Sequence, residues 1–310
     1  MTTEIGTAGP GARPRWFDSA GQIEGLLRGV GYLASEHACG VVHLADQLGK
    51  PILVEGLAGT GKTELAKSTA VMTGARLIRL QCYEGLDEGK ALYEWNYSKQ
   101  LLRILADNVG MVRRAGSWAD LEAGIFTEDF LLPRPLLDAI RSPELVVLLI
   151  DEVDRLDIEA EALLLEVLSE YQVSIPELGT VSGRQIPMVF LTSNSSRDLS
   201  EALRRRCLYL HLDYPSVERE REIVRTRVPG ISEHLAEQIT AIVGSLRQLD
   251  IRQRPSVAQT LEWARTLLSL GAETMDAELV ADSLRVLLSY QSDIELASAR
   301  LAAGQLPCAT

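Results

Sequence analysis

The sequence predicts an α/β fold: a parallel sheet with helices on both faces, followed by an all-α region. Apolar runs that read as strands occur at residues 51–55, 76–81, 145–151, 187–194 and 207–213, with helical patterns between the earlier ones. Strands alternating with helices imply parallel pairing, because each crossover carries a helix back over the sheet. A glycine-rich turn stands between the first strand and the helix that follows it. After Tyr214-Pro215 the strand signals stop and the pattern is helical to the end of the chain.

Taken in order, residues 1–15 are rich in Gly, Pro and Thr with little to bury, and are expected to form a flexible tail, with order beginning at Trp16. Residues 19–48 read as helices, because Leu26, Leu27, Val30 and Leu33, then Val41, Val42, Leu44 and Leu48, recur at helical spacings. Tyr93, Trp95 and Tyr97 fall at alternate positions, which in an extended segment puts all three on one face. Such a face packs as core or subunit contact, or grips a partner chain. The stretch QVSIPELGTVSGRQIP, residues 172–187, reads as a hairpin broken by Gly179 and Gly183. In the last region, PSVAQ around Ser256 to Gln259 and SDIE at 292–295 read as capping boxes. Leu261, Ala264, Leu267 and Leu268 then line one helical face. The expected domains are therefore 16–215, α/β, and 216–310, helical.

Residues 56–63 read GLAGTGKT, preceded by the apolar run PILVE. A strand that feeds a glycine-rich turn opening a helix is a phosphate cradle. Gly56, Gly59 and Gly61 permit backbone conformations and close approaches that a Cβ would block, so that N–H groups can turn toward phosphates. The helix beginning near Lys62 adds the positive end of its dipole. Lys62, expected in a solvent-facing loop, brings a point charge to the β and γ phosphates, and the Thr63 hydroxyl is a ligand for their Mg²⁺. Gly56, Leu57, Ala58, Gly59, Thr60, Gly61, Lys62, Thr63 and Glu64 make up the expected nucleotide-binding stretch. The run LVVLLID at 145–151 is long enough for a strand buried on both faces, and it ends in Asp151 and Glu152. Asp151 suits the water shell of Mg²⁺, and Glu152 suits a base that polarises the attacking water.

Composition excludes several classes. The 310 residues with 46% hydrophobic content provide for a substantial core in one large or two modest domains. No apolar run approaches the ~20 residues of a membrane helix, and the polar start lacks a signal-peptide core, so a cytoplasmic location without membrane contact is expected. Cys39, Cys82, Cys207 and Cys308 show no CxxC pair or zinc pattern, and read as reduced thiols. A formal charge of −12 argues against broad electrostatic binding of nucleic acid.

The cradle GLAGTGKTELAK, the strand LVVLLIDEVDRLD, the long segment from EALLLEVLSEYQVSIPELGTVSGRQIPMVFLTSNSSRDLS through EALRRRCLYLHLDYP, and GIFTEDFLLPRPLLDAI together resemble an AAA+ ATPase of the MoxR group. WNYSKQLL, with RPSVAQTLEWARTLLSLGA, is similar to the subgroup linked to maturation of carbon monoxide dehydrogenase-type molybdenum enzymes. The resemblance covers about residues 20 to 300, and its specificity rests on the middle and last segments, because all P-loop ATPases share the cradle and acidic strand.

This resemblance implies a P-loop core of five parallel strands with a helical lid, assembled as a ring, usually hexameric, with Mg²⁺-ATP between subunits. It assigns Asn194 to orienting the attacking water. Among Arg204, Arg205 and Arg206 it assigns to Arg206, with Arg205 in reserve, the arginine that reaches a neighbour's site. A lid arginine that touches the γ-phosphate falls on IRQRPSVAQ, where Arg254 is displaced from the usual position and Arg252 is the alternative. The implied function is ATP-driven remodelling of a partner, a von Willebrand factor A-type protein and through it an immature metalloenzyme. Two rival readings are a nucleic-acid motor of the same fold, which the acidic composition disfavours, and a nucleotide-gated scaffold with little turnover.

Overall fold

A computed structural model describes residues 15–109, 124–183 and 185–307. Residues 1–14 of the expected tail, Arg184 of the hairpin and Cys308 lie outside the described residues. The chain divides into two compact units, one made of residues 1–25, 35–54 and 66–210, the other of residues 26–34, 55–65 and 211–310. The glycine-rich turn thus groups with the helical region rather than with the strands.

Among the described residues nine strands occur, all in the first unit except for the end residues Glu55 and His211: β1 Ile52–Glu55, β2 Arg76–Gln81, β3 Tyr93–Trp95, β4 Leu131–Pro133, β5 Val146–Asp151, β6 Gln172–Ile175, β7 Gly179–Ser182, β8 Met188–Ser193 and β9 Leu208–His211. Five of them form one parallel sheet in the order β2-β5-β8-β1-β9. Burial follows that order. β1, β5 and β8 lie inside the sheet and are buried at every position, whereas the edge strand β2 buries only Ile78 and Leu80. Parallel register sets Arg79 opposite Leu149 and Gln81 opposite Asp151, which brings two polar side chains of β2 to the carboxyl end of β5. The core around the sheet gathers Ile78, Leu148, Ile150, Leu136, Leu164 and Leu203 among others.

The predicted hairpin is present as the antiparallel pair β6 and β7. The alternating aromatics divide. Tyr93 and Trp95 belong to β3, and Trp95 is buried edge-on to Phe126 at 5.1 Å, but Tyr97 opens the helix Tyr97–Val109 and is exposed. The three do not share an extended face, because Asn96 ends the strand and caps the helix, its Oδ1 accepting from the Lys99 amide.

In the second unit the helices Val217–Arg227, Glu233–Leu246, Val257–Ser269, Ala277–Leu287 and Gln291–Ala302 enclose a core centred on Trp263, Ile239, Leu246, Leu267 and Leu284. The capping box at Ser256 and Gln259 forms in both directions. The one expected at 292–295 does not. That helix starts at Gln291 with Ser292 already inside it, and the two side chains of the expected box are engaged otherwise: the Ser292 hydroxyl donates to Asp293 Oδ1 at 3.3 Å, and Glu295 Oε1 accepts from the Gln291 side chain at 3.0 Å.

Candidate functional site

In the second unit the glycine-rich turn is held by its carbonyls. The Lys62 ammonium donates to the Gly56 and Leu57 oxygens at 2.8 and 2.7 Å, the Thr60 hydroxyl to Leu57, the Tyr214 hydroxyl to Ala58 at 3.0 Å, and the Val257 amide to Gly59 at 3.1 Å. The Gly61 carbonyl accepts from the Leu65 amide at 3.0 Å and from the Tyr32 hydroxyl at 3.4 Å. With these carbonyls engaged, the turn offers N–H groups, the donors that a phosphate needs.

Two glycines are irreplaceable on space alone. A Cβ on Gly56 would stand 2.0 Å from the Leu212 oxygen, and one on Gly59 would stand 2.1 Å from the Ser256 Cβ, at backbone φ +152° and +79°. The helix Lys62–Thr73 begins directly after the turn, with Thr63 in its first turn and the Glu64 carboxylate paired to Arg227 at 3.1 Å. Lys62 is 6% exposed, so the expectation of a solvent-facing lysine is corrected: its charge is drawn inward by the two carbonyls.

The helical residues around the turn are themselves braced. Arg247 pairs with Glu220, Nη2 to Oε1 at 2.8 Å with both groups buried, donates from Nε to the Pro255 carbonyl at 2.8 Å and lies 4.3 Å over the Tyr214 ring. This fixes Pro255 and Ser256, which lead into the helix whose first amide binds Gly59. Burial raises the Tyr214 phenol above its ordinary value, against the opposing fields of Arg247 and Arg254. Arg254 is exposed on this leading segment, whereas Arg252 turns to the Tyr290 ring at 5.7 Å.

In the first unit β5 delivers Asp151, buried, and Glu152, partly exposed. Thr192 on β8 ties them together: its hydroxyl donates to Asp151 Oδ1 at 2.5 Å and accepts from the Glu152 amide at 3.0 Å. Glu152 sits at φ 59° and ψ 49°, a left-handed conformation that costs a non-glycine residue roughly 1 kcal/mol and persists only where the surroundings impose it. Here the Thr192 bond on one side and the Arg155 amide on the Glu152 carbonyl, at 2.9 Å, impose it.

Arg79 reaches Asp151 Oδ2 from Nε and Nη2, at 3.0 and 2.6 Å. Glu152 Oε2 receives the Gln81 amide at 3.0 Å and Arg155 Nε at 2.9 Å. The negative field of this cluster is felt nearby: burial, then Asp151, Asp154 and Glu152, push the Cys82 thiol up to about 12.

Asn194 follows β8, and its loop is held by Asp154, whose Oδ2 accepts from the Ser196 amide and hydroxyl at 2.9 and 2.6 Å. Burial drives the Asp154 carboxyl up, but these bonds and one from the Asn194 backbone outweigh it and leave it below its ordinary value. Arg206 ends the helix Glu201–Arg206, exposed, with Nε on the Ser169 hydroxyl at 2.7 Å, and Arg205 pairs within that helix to Glu201 at 2.5 Å.

Sequence reasoning missed Arg79, Gln81, Thr192 and Asp154. The available signal was that charged and amide side chains alternate with Ile78 and Leu80 in β2, on the face shared with Asp151.

These residues fit a nucleotide and its cation. Among the described residues no cluster of three or more His, Cys, Asp or Glu suited to a metal occurs; Mg²⁺ that arrives with phosphates needs only one or two protein oxygens, and Thr63 in the second unit and Asp151 in the first each carry an oxygen of that kind. No helix among them is long and apolar enough to cross a membrane.

No curated protein matches the chain. Among solved structures it is similar to RuvB from Thermotoga maritima in a proline-to-glycine variant, at 20% identity over 89% of this chain and 74% of that one, with a TM-score of 0.47. It is also similar to the structure described as the Thermotoga maritima RuvB Holliday junction branch migration motor, at 19% identity over 89% and 72% of the two chains, with a TM-score of 0.44. The family follows instead from the sequence model of the AAA domain, dynein-related subfamily, which matches residues 51–207 of the 310 and so takes in the cradle, the acid pair and Arg206. The chain belongs to that family, and it is an ATPase of the AAA+ class.

Proposed function

We propose that the protein uses ATP hydrolysis to remodel a protein partner, in the manner of the MoxR group that its sequence resembles. The observation that carries this reading is the pair of bonds from Tyr214 and Val257 to the cradle carbonyls of Ala58 and Gly59. A turn that grips phosphate and is bonded directly to the helical region passes any rearrangement on nucleotide binding or release into that region. In this reading the backbone of 56–61, Lys62 and Thr63 bind Mg²⁺-ATP, and Asp151 serves the cation. Glu152 and Asn194 position water, and Arg206, or Arg205, completes the site of a neighbouring subunit in a hexameric ring. Arg254 is the lid residue assigned to the nucleotide, and the functional domains are 16–215 and 216–310.

The subgroup resemblance points to a von Willebrand factor A-type partner and an immature metalloenzyme as client. The described cysteines are buried thiols, which supports a reducing, cytoplasmic setting. A nucleic-acid motor has the charge of −12 against it.

Affinity isolation with Glu152→Gln tests the reading. The substitution keeps size and hydrogen bonding but cannot accept a proton, so ATP stays bound while turnover falls by on the order of 10² or more. A protein retained by this variant with ATP, and released with ADP, is the expected client. Negligible phosphate release by the wild type in the presence of that client identifies a scaffold instead, and retention of nucleic acid in place of protein identifies the motor.

A further inference from the structure

Arg79 stands on the exposed face of the edge strand β2, yet its guanidinium is bonded to Asp151 directly and linked to Glu152 through Gln81. Nε and Nη2 lie on Asp151 Oδ2, and Nη2 also donates to Gln81 Oε1. The second bond settles which way the Gln81 amide faces. With its oxygen turned to the guanidinium, the only end left for Glu152 is the NH₂, which donates to Oε2 at 3.0 Å. Reversal would bring an NH₂ against a guanidinium, two donors with no acceptor between them. The result is a continuous chain from Asp151 through Arg79 and Gln81 to Glu152, closed on the other side by Thr192.

We propose that Arg79 is a positioning residue that latches the two carboxylates together: while it rests on Asp151 it holds Gln81 on Glu152, and when a cation takes over Asp151 both are released. The proposal rests on the ATPase reading above. Its physics is competition between like charges. A guanidinium and a divalent cation repel each other at one carboxylate, so each weakens the other's hold on Asp151. Arg79 has somewhere to go, since its side chain is 48% exposed and leaves Asp151 by rotating into water. Once it leaves, Gln81 loses the donor that orients it. Glu152 Oε2 then gives up one of its two donors, and a lone pair that proton abstraction needs becomes accessible.

The latch predicts that Arg79 opposes cation binding, and this is measurable without turnover. ADP affinity is determined by calorimetry with Mg²⁺ and with EDTA, for the wild type, Arg79→Gln and Arg79→Lys. The gain in affinity on adding Mg²⁺ is expected to be about fivefold larger in Arg79→Gln, the upper end of what a half-exposed ion pair is worth. In Arg79→Lys it should stay near the wild-type gain, because a point charge remains beside Asp151. Lysine lacks the fork that reaches Asp151 and Gln81 together, so basal kcat should rise in both variants. An equal Mg²⁺ gain in wild type and Arg79→Gln overturns the latch, as does a kcat that rises in neither variant. If the wild type itself binds no ADP, the nucleotide reading falls and the latch with it. If it binds ADP and the variants behave identically to it, only the latch falls.

Discussion

The Asp154 carboxylate takes both the amide and the hydroxyl of Ser196, 42 residues further along the chain, at 2.9 and 2.6 Å. Between them Ser195 sits at φ 57°, so the turn after Asn194 is bent into a conformation that it does not favour by itself. Asp154→Ala should leave that turn free to relax and Asn194 poorly aimed. If Asn194 orients the attacking water, as proposed, turnover is expected to fall about tenfold with nucleotide affinity almost unchanged, since such a misplaced group costs the chemical step rather than binding. Single-turnover kinetics beside calorimetric binding checks this, and equal losses in both would place Asp154 in nucleotide binding instead.

The same carboxylate gives a pH dependence with a fixed sign. Its folded value lies below the ordinary 3.8, so the stability it contributes is fully present above that value and is lost as the pH falls through the depressed one. Denaturant unfolding of Asp154→Asn against wild type should therefore show a constant deficit at neutral and mildly acidic pH that narrows only below the ordinary value. A deficit that grows toward low pH contradicts the assignment.

Most of the framework was legible because its strands obey simple burial rules. β5 and β8, inside the sheet, are apolar along nearly their whole length, and the glycine-rich turn, Asp151 and Glu152 announce themselves by spacing alone. What was not legible depends on register between distant segments. Arg79 and Gln81 are polar positions alternating with Ile78 and Leu80 in a short strand, and only pairing with β5, about seventy positions on, turns them into partners of the acid pair. The failed box at 292–295 has a local cause: the helix starts one residue earlier, at Gln291, whose side chain takes the Glu295 carboxylate, while the Ser292 hydroxyl turns to Asp293. Lys62 looked solvent-facing because its carbonyl partners belong to the backbone, which carries no sequence signal.

Thr192 is the simplest place to test how the acid pair is held. It is buried, donates to Asp151 and accepts from the Glu152 amide. Thr192→Val keeps the shape and removes both bonds, and should cost about 1–3 kcal/mol of stability by leaving buried polar groups poorly satisfied. Without the anchor on its amide, the left-handed conformation of Glu152 loses support, so turnover should drop by more than the stability change explains at temperatures where the protein remains folded. Thermal unfolding together with kcat, measured on the same preparation, decides the matter. Full activity would mean that Glu152 is held by other contacts.

Gly59 tests the cradle without touching any charge. An alanine Cβ would stand 2.1 Å from the Ser256 Cβ, at a backbone φ of +79°. The turn or the start of the helix Val257–Ser269 must then shift, and the bond from the Val257 amide to the Gly59 carbonyl goes with it. Gly59→Ala should reduce nucleotide affinity at least tenfold, about 1.4 kcal/mol or more. The helical core lies elsewhere and should keep its cooperative unfolding. Unimpaired binding by this variant would show that the turn is not the phosphate site.

Arg206 carries the test of assembly. It is exposed at the end of its helix, tethered only lightly through Nε to the hydroxyl of Ser169, whereas Arg205 is engaged with Glu201 one turn earlier in the same helix. Arg206 is therefore the readier of the two to meet another molecule. If it acts on a neighbour's ATP, Arg206→Ala should bind nucleotide nearly normally and hydrolyse it poorly, because the charge is needed mainly in the transition state. Action across subunits makes a stronger demand. Mixing Arg206→Ala with Lys62→Ala subunits should restore some hydrolysis, since one of the mixed interfaces combines an intact cradle from the first with an intact arginine from the second. The mixture is measured where subunits exchange and assemblies form, beside each variant alone. Mixed assemblies no more active than these controls would mean that Arg206 acts within its own subunit or that Arg205 is the residue that crosses, and repeating the mixture with Arg205→Ala separates those two.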